Sequence, residues 1–164
     1  MDLEKLPHLA KNAEPANSLF FKRLKKNVPK NLDAVVHELD KETFEKINCT
    51  QCANCCKTTS PIFYQKDIER LSKHFRIKPS RFIENYLIID EEKDYVLKSA
   101  PCPFLGDDNH CSVYDDRPAA CKEYPHTQRK RFYQLFDLTL KNTAICPVVY
   151  EIVEKLKKKY SIGI

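Results

Sequence analysis

Glycine and tryptophan are the residues that this sequence most clearly lacks. Tryptophan is absent, and the two glycines are Gly106 and Gly163. No glycine-rich loop is therefore present to cradle a dinucleotide, an ATP phosphate or S-adenosylmethionine in a Rossmann-like turn. No apolar run approaches the roughly 18 residues of a membrane span. The first residues are charged and lack the apolar core of a signal peptide, so we expect a cytoplasmic protein without a membrane span.

The charge and the length of the chain limit the functions and the size of the core that we expect. The chain has 164 residues and a formal net charge of +5, which is too mild to indicate nucleic-acid binding by itself. Hydrophobic residues make up 42% of the sequence, enough for one modest core that bound metal would help to stabilise. We expect an N-terminal lead-in and short helix over residues 1–30. A metal-binding domain over residues 31–164 follows, with its motif core at 48–147.

The hydrophobic pattern predicts a mainly α fold with a small β-hairpin, a small single domain organised around a cysteine-ligated metal centre. Residues 1–15, with two prolines, are predicted to be a loose lead-in. Residues 126–142 are basic and aromatic and are predicted to form an edge strand or a loop. The predicted helices cover 17–26, 31–47, 65–75, 78–86 and 143–159, and the hairpin covers 87–97 around an acidic turn at 90–94.

Eight cysteines are the feature that this sequence has in excess. Four lie in the run Cys49-Thr-Gln-Cys52-Ala-Asn-Cys55-Cys56, and the others are Cys102, Cys111, Cys121 and Cys146. In a reducing compartment such clustering indicates metal ligands or redox groups, with disulfides as the alternative. A Cys-x2-Cys spacing lets two sulfurs converge on one metal across a tight turn.

Several arrangements of these thiols agree with the spacing. The run cannot be a continuous helix packed on a core. Cys49, Cys52 and Cys55 can supply three corners of one centre, which a distal cysteine would complete. Cys56 points away from Cys55 in an extended backbone and would serve a second metal, a bridge or no metal. The count allows two four-cysteine sites, or one site with spare thiols.

Other residues near the cysteines are also candidates. His110 or His126 could replace a thiolate. A short helical turn beginning at Pro118 would place Cys121 in its first turn, where the helix dipole favours a thiolate. The metal itself could serve only to hold the fold together.

Separated motifs match one known pattern in order. They are the run from Cys49 to Cys56, then Cys-Pro-Phe-Leu from Cys102, Cys-x-Val-Tyr-x-x-Arg-Pro-x-x-Cys from Cys111 to Cys121, and Tyr124-Pro125. Over Asn48 to Pro147 the sequence therefore resembles the CxxCxxCC cysteine-cluster family, also called YkgJ-like.

The resemblance implies a zinc- or iron-chelating domain, often labelled an iron–sulfur protein, that binds metal through all eight cysteines. Tyr114, Arg117, Pro118 and Tyr124 also match the pattern. Arg117 would neutralise thiolate charge, or else pair with Asp115 or Asp116. The wider group includes flagellin lysine N-methylases, but this chain has no recognisable methyl-donor loop, so that activity is not expected.

We therefore expect a cytoplasmic protein that binds iron, as an iron–sulfur cluster, or zinc, and acts in electron transfer or metal handling with a redox or metal-transfer partner. All-sulfur ligation and the Cys-x2-Cys-x2-Cys run favour the iron–sulfur cluster. The alternative is a zinc-stabilised interaction module that holds nucleic acid on Arg129–Arg131, Phe132, Tyr133 and the C-terminal lysines. No nucleophile–base pair or open-site metal motif indicates an enzyme.

Overall fold

The computed structural model describes residues 2–160; Met1 and residues 161–164, which include Gly163, lie outside the described part. The predicted fold class, mainly α with one small hairpin, is confirmed. The elements are α1 Leu6–Lys26, α2 Leu32–Phe44, α3 Cys49–Cys52, α4 Asn54–Thr58, α5 Gln65–His74, α6 Pro79–Tyr86, β1 Leu87–Ile89, β2 Tyr95–Leu97, a 3₁₀ helix Tyr114–Asp116, α7 Ala119–Glu123, a 3₁₀ helix Phe132–Leu135, α8 Phe136–Asn142 and α9 Pro147–Lys159.

The chain divides into two compact units. The first unit comprises Met1–Cys52 and Pro125–Ile164, and the second comprises Ala53–Tyr124. The first unit therefore holds α1–α3, α8 and α9, and the second holds α4–α7 and the hairpin. Within the described part of the chain, every helix is too short or too polar to cross a membrane.

The first helix of the first unit corrects the predicted loose lead-in at residues 1–15. Helix α1 begins at Leu6 and continues through Pro15 to Lys26. Pro7 lies in the first turn, where its missing N–H would have no helical partner in any case. Pro15 removes one backbone hydrogen bond, but α1 buries a continuous face that packs against α8 and α9. Burial of this face offsets the local cost of proline, which the sequence pattern could not show.

The segment 126–142 is the second correction: residues 126–131 form a loop, one of the two predicted alternatives, but residues 132–142 form a 3₁₀ turn and α8. The carboxylate of Asp33 in α2 accepts hydrogen bonds from the backbone N–H groups of Arg131 (2.7 Å) and Phe132 (2.9 Å). The ring of Phe136 then stacks on Phe21 of α1, with 4.5 Å between ring centroids. These long-range contacts select the helical form over the strand that local composition suggested.

The second unit is built on an aromatic core beneath the hairpin. Strands β1 and β2 pair antiparallel with Ile88 opposite Val96, so the predicted hairpin is confirmed. The outer edge of β2 is occupied, since Phe63 N–H donates to the Tyr95 carbonyl at 2.8 Å. The core consists of Phe63, Ile68, Leu71, Phe82, Leu87, Leu97, Phe104 and Val113, and the half-buried side chains of Cys102 and Cys111 pack against it.

Candidate metal centre

The four-cysteine run folds into two short helices, α3 and α4, with a sharp break at Ala53. Ala53 has φ 47° and ψ 16°, the left-handed conformation that L-residues adopt only at a cost. The prediction that the run is not a continuous helix is confirmed. The break also falls at the boundary between the two units, so Cys49 and Cys52 belong to the first unit and Cys55 and Cys56 to the second.

A backbone hydrogen bond brings Cys102 beside the end of the run. The N–H of Cys102 donates to the carbonyl of Cys56 at 2.8 Å. Cys56 lies in the last turn of α4, whose carbonyls have no partner within the helix, so the bond satisfies one of them. Phe104, two residues beyond Cys102, is buried and packs on Phe75 and Tyr86, with centroid distances of 5.6 and 5.1 Å. The packing of Phe104 on these two rings holds the loop that contains Cys102 in place.

Cys111 is brought back towards Cys102 by a tight turn at Gly106. Leu105 and Cys111 form an antiparallel bridge, and Gly106 N–H donates to the His110 carbonyl at 2.8 Å. A Cβ on Gly106 would lie 2.7 Å from Oδ1 of Asp108, so only glycine fits this turn without a shift. The exposed His110 ring contacts the Asp108 carbonyl in the same turn (3.0 Å).

Cys121 lies in α7, which packs against α5 through hydrogen bonds to its first residue. The Asp67 carboxylate accepts from the N–H of Ala119 at 3.1 Å. Arg70 donates from Nε to the carbonyl of Asp116 (3.0 Å) and from Nη2 to that of Arg117 (2.8 Å). Sequence reasoning missed this pair, since nothing local to a predicted helix indicates which loop its polar side chains reach.

The thiols of the second unit affect one another electrostatically. Burial, with smaller contributions from Cys56, Cys102 and Cys111, raises the pKa of Cys121 to about 12. Burial is also the main cause of the raised pKa values of Cys102 and Cys111. The four thiols therefore lie within electrostatic range of one another. The predicted turn at Cys121 is confirmed, but its predicted preference for the thiolate is wrong for the metal-free chain, because desolvation outweighs the dipole of a five-residue helix.

Cys56 is the exception among these thiols. A hydrogen bond from the Cys55 side chain lowers the pKa of Cys56 to about 7, with a smaller lowering by Lys57, while burial acts in the opposite direction. Near neutral pH, Cys56 therefore carries much of the negative charge of the group. A metal-binding reaction would begin most readily at this sulfur, because the thiolate is the form that ligates metal.

Arg117 supplies positive charge close to the same thiols. Its guanidinium lies 3.8 Å from the centroid of the Tyr114 ring, and it lowers the pKa values of Cys111 and Cys121. The Asp116 carboxylate contacts His74 Nδ1 at 2.8 Å. These contacts support the expectation that Arg117 neutralises thiolate charge more than the alternative of a pair with Asp116.

The first unit holds a smaller group of three thiols. Burial, with smaller contributions from Cys49 and Cys52, raises the pKa of Cys146 to about 11, while the N–H groups of Val149 and Val148 act in the opposite direction. Cys146 immediately precedes α9, so these N–H groups belong to the first turn of that helix. The grouping of Cys49, Cys52 and Cys55 in one centre stays a prediction.

The alternative nucleic-acid surface loses one of its two aromatic residues. Phe132 is 0% exposed, so it packs in the core and cannot stack on a base. Arg129, Lys130 and Arg131 are exposed, and Tyr133 is half-buried. The predicted interface therefore retains its charge but has lost one of the two rings that were expected to provide stacking.

The chemistry of the eight cysteines indicates which metals they could bind. All eight cysteines lie in the described part of the chain and are thiols, not disulfides. Thiolate sulfur is the ligand that zinc and iron–sulfur clusters prefer. Within residues 2–160, no three His, Cys, Asp or Glu side chains are already close enough to share one ion. The residue types therefore fit zinc or iron, and the sulfurs would have to draw together to ligate it.

A mostly helical fold that gathers thiols from separated loops defines a cysteine-cluster protein. The model of the CxxCxxCC family, described as a "putative zinc- or iron-chelating domain", matches residues 48–146. This match covers more than half of the chain, and the protein belongs to the CxxCxxCC family. Comparison with curated proteins and with solved structures found no match.

Proposed function

We propose that this protein chelates zinc or iron through its cysteine thiolates, with Cys56, Cys102, Cys111 and Cys121 as one donor set in the second unit. The observation that supports the proposal is that three separated segments bring these four cysteines close enough for Cys56, Cys102 and Cys111 to raise the pKa of Cys121. The Cys102–Cys56 backbone bond, the Leu105–Cys111 bridge and the attachment of α7 to α5 each position one segment. The family's description as zinc- or iron-chelating supports the same conclusion.

Bound metal would relieve an unfavourable arrangement of charge. Four thiolates in one half-buried place repel one another, which contributes to the raised pKa of Cys121. A divalent ion or a cluster with a positive iron core replaces that repulsion with attraction and displaces the thiol protons. Arg117 reduces the remaining negative charge, since a four-thiolate zinc centre carries two net negative charges.

All-sulfur ligation favours an iron–sulfur cluster over a single zinc ion in this proposal. Such a cluster would supply one-electron transfer to a redox partner in the cytoplasm, and a zinc or iron ion would supply metal handling or stability. We propose Cys49, Cys52 and Cys146 as a second donor set in the first unit, and Cys55 is the remaining proposed ligand.

Anaerobic purification followed by iron, zinc and acid-labile sulfide analysis tests the proposal. We expect a brown protein with a broad visible absorption band, and iron and sulfide in equal amounts. A colourless protein that contains zinc would overturn the iron–sulfur preference but keep the chelation. Purified protein without metal, which also fails to bind added zinc or reconstituted iron and sulfide, would overturn the proposed function.

Single substitutions then identify the donor set. Cys121→Ser should remove metal from the second unit, because serine is a poor ligand for a soft metal site. Cys49→Ser, which changes an exposed thiol in the first unit, is the matched control and should affect only metal bound by the first unit. Loss of the same metal from both variants would contradict the assignment of Cys121 and Cys49 to different groups.

A further inference from the structure

Helix α5 carries a charged pair, the buried Asp67 and the half-buried Arg70, that does not lie among the cysteines. The Asp67 side chain is 3% exposed, and its Oδ1 contacts Arg70 Nη2 at 2.7 Å. Its other oxygen, Oδ2, accepts from the N–H of Tyr64 at 3.0 Å, at the start of α5. A carboxylate removed from water in this way is costly unless each oxygen has a partner, and here both do.

The same pair controls the segment that leads to Cys121. Helix α7 has five residues and no cap from its own N-terminal side chain, because Pro118 precedes it. Asp67 supplies that cap from another helix by accepting the Ala119 N–H. Such a short helix is not stable by itself, so its direction depends on this attachment.

Arg70 fixes the residues immediately before Pro118. Its planar guanidinium donates to two successive carbonyls, those of Asp116 and Arg117, while it contacts Asp67. Two hydrogen bonds from one rigid fork, which Asp67 holds through a third, determine both the position and the orientation of this backbone segment. Lysine could keep the charge but could not make this pattern.

We propose that Arg70 and Asp67 are positioning residues that hold Cys121 at the metal centre. The inference rests on the proposed function. The two side chains act through the backbone from Asp116 to Ala119, and neither touches the metal. Their role differs from that of Arg117, which acts on the thiols by its charge. Residues that orient a metal ligand typically change metal affinity by about tenfold to a hundredfold when they are replaced.

The test compares Arg70→Ala and Arg70→Lys with Arg81→Ala in the full chain. Arg81 is the matched control, since it forms an i,i+3 ion pair with Glu84 at 2.8 Å on α6 of the same unit, but fully on the surface. Zinc affinity is measured by competition with a chromophoric chelator. The number of thiolate ligands is measured from the intensity of the sulfur-to-metal absorption of the Co²⁺-substituted protein.

For Arg70→Ala we expect zinc affinity at least about tenfold weaker than wild type, and Co²⁺ absorption lower by about a quarter, as for three thiolates in place of four. Arg70→Lys should resemble Arg70→Ala, and Arg81→Ala should resemble wild type. A merely structural role for Arg70 would lower the stability of the metal-free protein but leave the Co²⁺ spectrum of the folded protein unchanged. That result would overturn the inference.

Asp67→Asn keeps the test decisive if Arg70→Ala does not fold, because it preserves the side-chain shape and removes the charged acceptor. It should show the same loss of one thiolate, and a wild-type spectrum would overturn the inference. Wild-type protein that binds neither zinc, Co²⁺ nor reconstituted iron and sulfide would remove the proposed function and this inference together. Wild-type binding with unaltered Arg70 and Asp67 variants would remove this inference alone.

Discussion

The backbone N–H of Cys102 donates a hydrogen bond to the carbonyl of Cys56 at 2.8 Å. This bond joins the end of the cysteine run to a loop that is distant in sequence, and it fixes where the two segments meet. The backbone therefore holds two cysteines of the proposed donor set beside each other.

Zinc binding by the second unit should release about three protons at about pH 7.5. The pKa values of Cys102, Cys111 and Cys121 are raised above 9.0, so these groups are protonated thiols in the metal-free protein at this pH. Cys56, with a pKa of about 7, has already lost most of its proton. A pH indicator in weakly buffered solution measures the release for the first equivalent of zinc.

The Cys121→Ser variant should release about one proton fewer than wild type. The Cys49→Ser variant should match wild type, because that thiol lies in the first unit. Release of one proton or none by the wild-type protein would contradict the assignment of these four thiols to one zinc ion.

Local sequence signals predicted the elements whose stability is local. The hairpin around Asp90–Asp94, the helix at Gln65–His74 and the interruption of the cysteine run all follow from turn residues, periodicity and spacing. The second half of helix α1 was predicted at 17–26, but its first half was missed because Pro7 and Pro15 look like helix breakers, and the burial of Leu6 reverses that signal. Burial against distant segments cannot be predicted from a short stretch of sequence.

In the candidate site, too, some features could be predicted from local sequence and others depend on tertiary contacts. The identity of the thiols follows from the sequence, and so does the preference for soft metals. The grouping of Cys146 with Cys49 and Cys52, and the attachment of Ala119 to Asp67, depend on contacts between distant segments. Spacing alone could not predict these contacts, because any loop long enough to close can bring any two cysteines together.

The stability of the metal-free protein should fall as the pH rises above 9, and Cys121 should account for part of that fall. The unfolded chain loses the Cys121 proton near pH 9.0, whereas the folded chain retains it up to about 12. Between these values the folded state binds more protons than the unfolded state, so the free energy of unfolding decreases with rising pH. Below pH 9 the thiol is protonated in both states and contributes no pH dependence.

Urea unfolding at about pH 8 and about pH 10, with reductant and chelator, measures this effect, which amounts to at most about 1.4 kcal/mol per pH unit for one group. Cys121→Ala should show a smaller decrease than wild type, and the Cys49→Ala control should show the wild-type decrease. Identical pH dependence in Cys121→Ala and wild type would show that the Cys121 thiol is not desolvated in the folded protein.

Ala53 should tolerate glycine but not valine. Glycine adopts the left-handed conformation of residue 53 without a Cβ clash, so Ala53→Gly should change the free energy of unfolding by less than about 1 kcal/mol. Ala53→Val places a β-branched side chain in that conformation at a buried position and should cost about 2 kcal/mol or more. Urea unfolding measures both effects.

Lys93→Gly is the companion variant, because Lys93 also has positive φ (67°) but is exposed in the hairpin turn, away from the cysteines. It should be neutral or stabilising and should leave metal content unchanged. Valine at position 53 with wild-type stability and wild-type metal content would mean that the break between α3 and α4 does not depend on the conformation of this residue.

Asp40 should be the aspartate on which the first unit depends most. Its side chain is buried in α2, and its two oxygens accept hydrogen bonds from Thr127 Oγ1 and Gln128 Nε2, both at 2.5 Å. Asp40→Ala should lower the free energy of unfolding by about 2 kcal/mol, because it leaves the buried Thr127 hydroxyl without its charged acceptor. Asp40→Asn should cost less, since its amide oxygen still accepts one bond.

Asp137→Ala, at an exposed position of α8, is the control and should change stability by less than about 0.5 kcal/mol. Urea unfolding in which Asp40→Ala is as stable as Asp137→Ala would show that these two short hydrogen bonds do not hold the segment from Thr127 to Phe132 on α2.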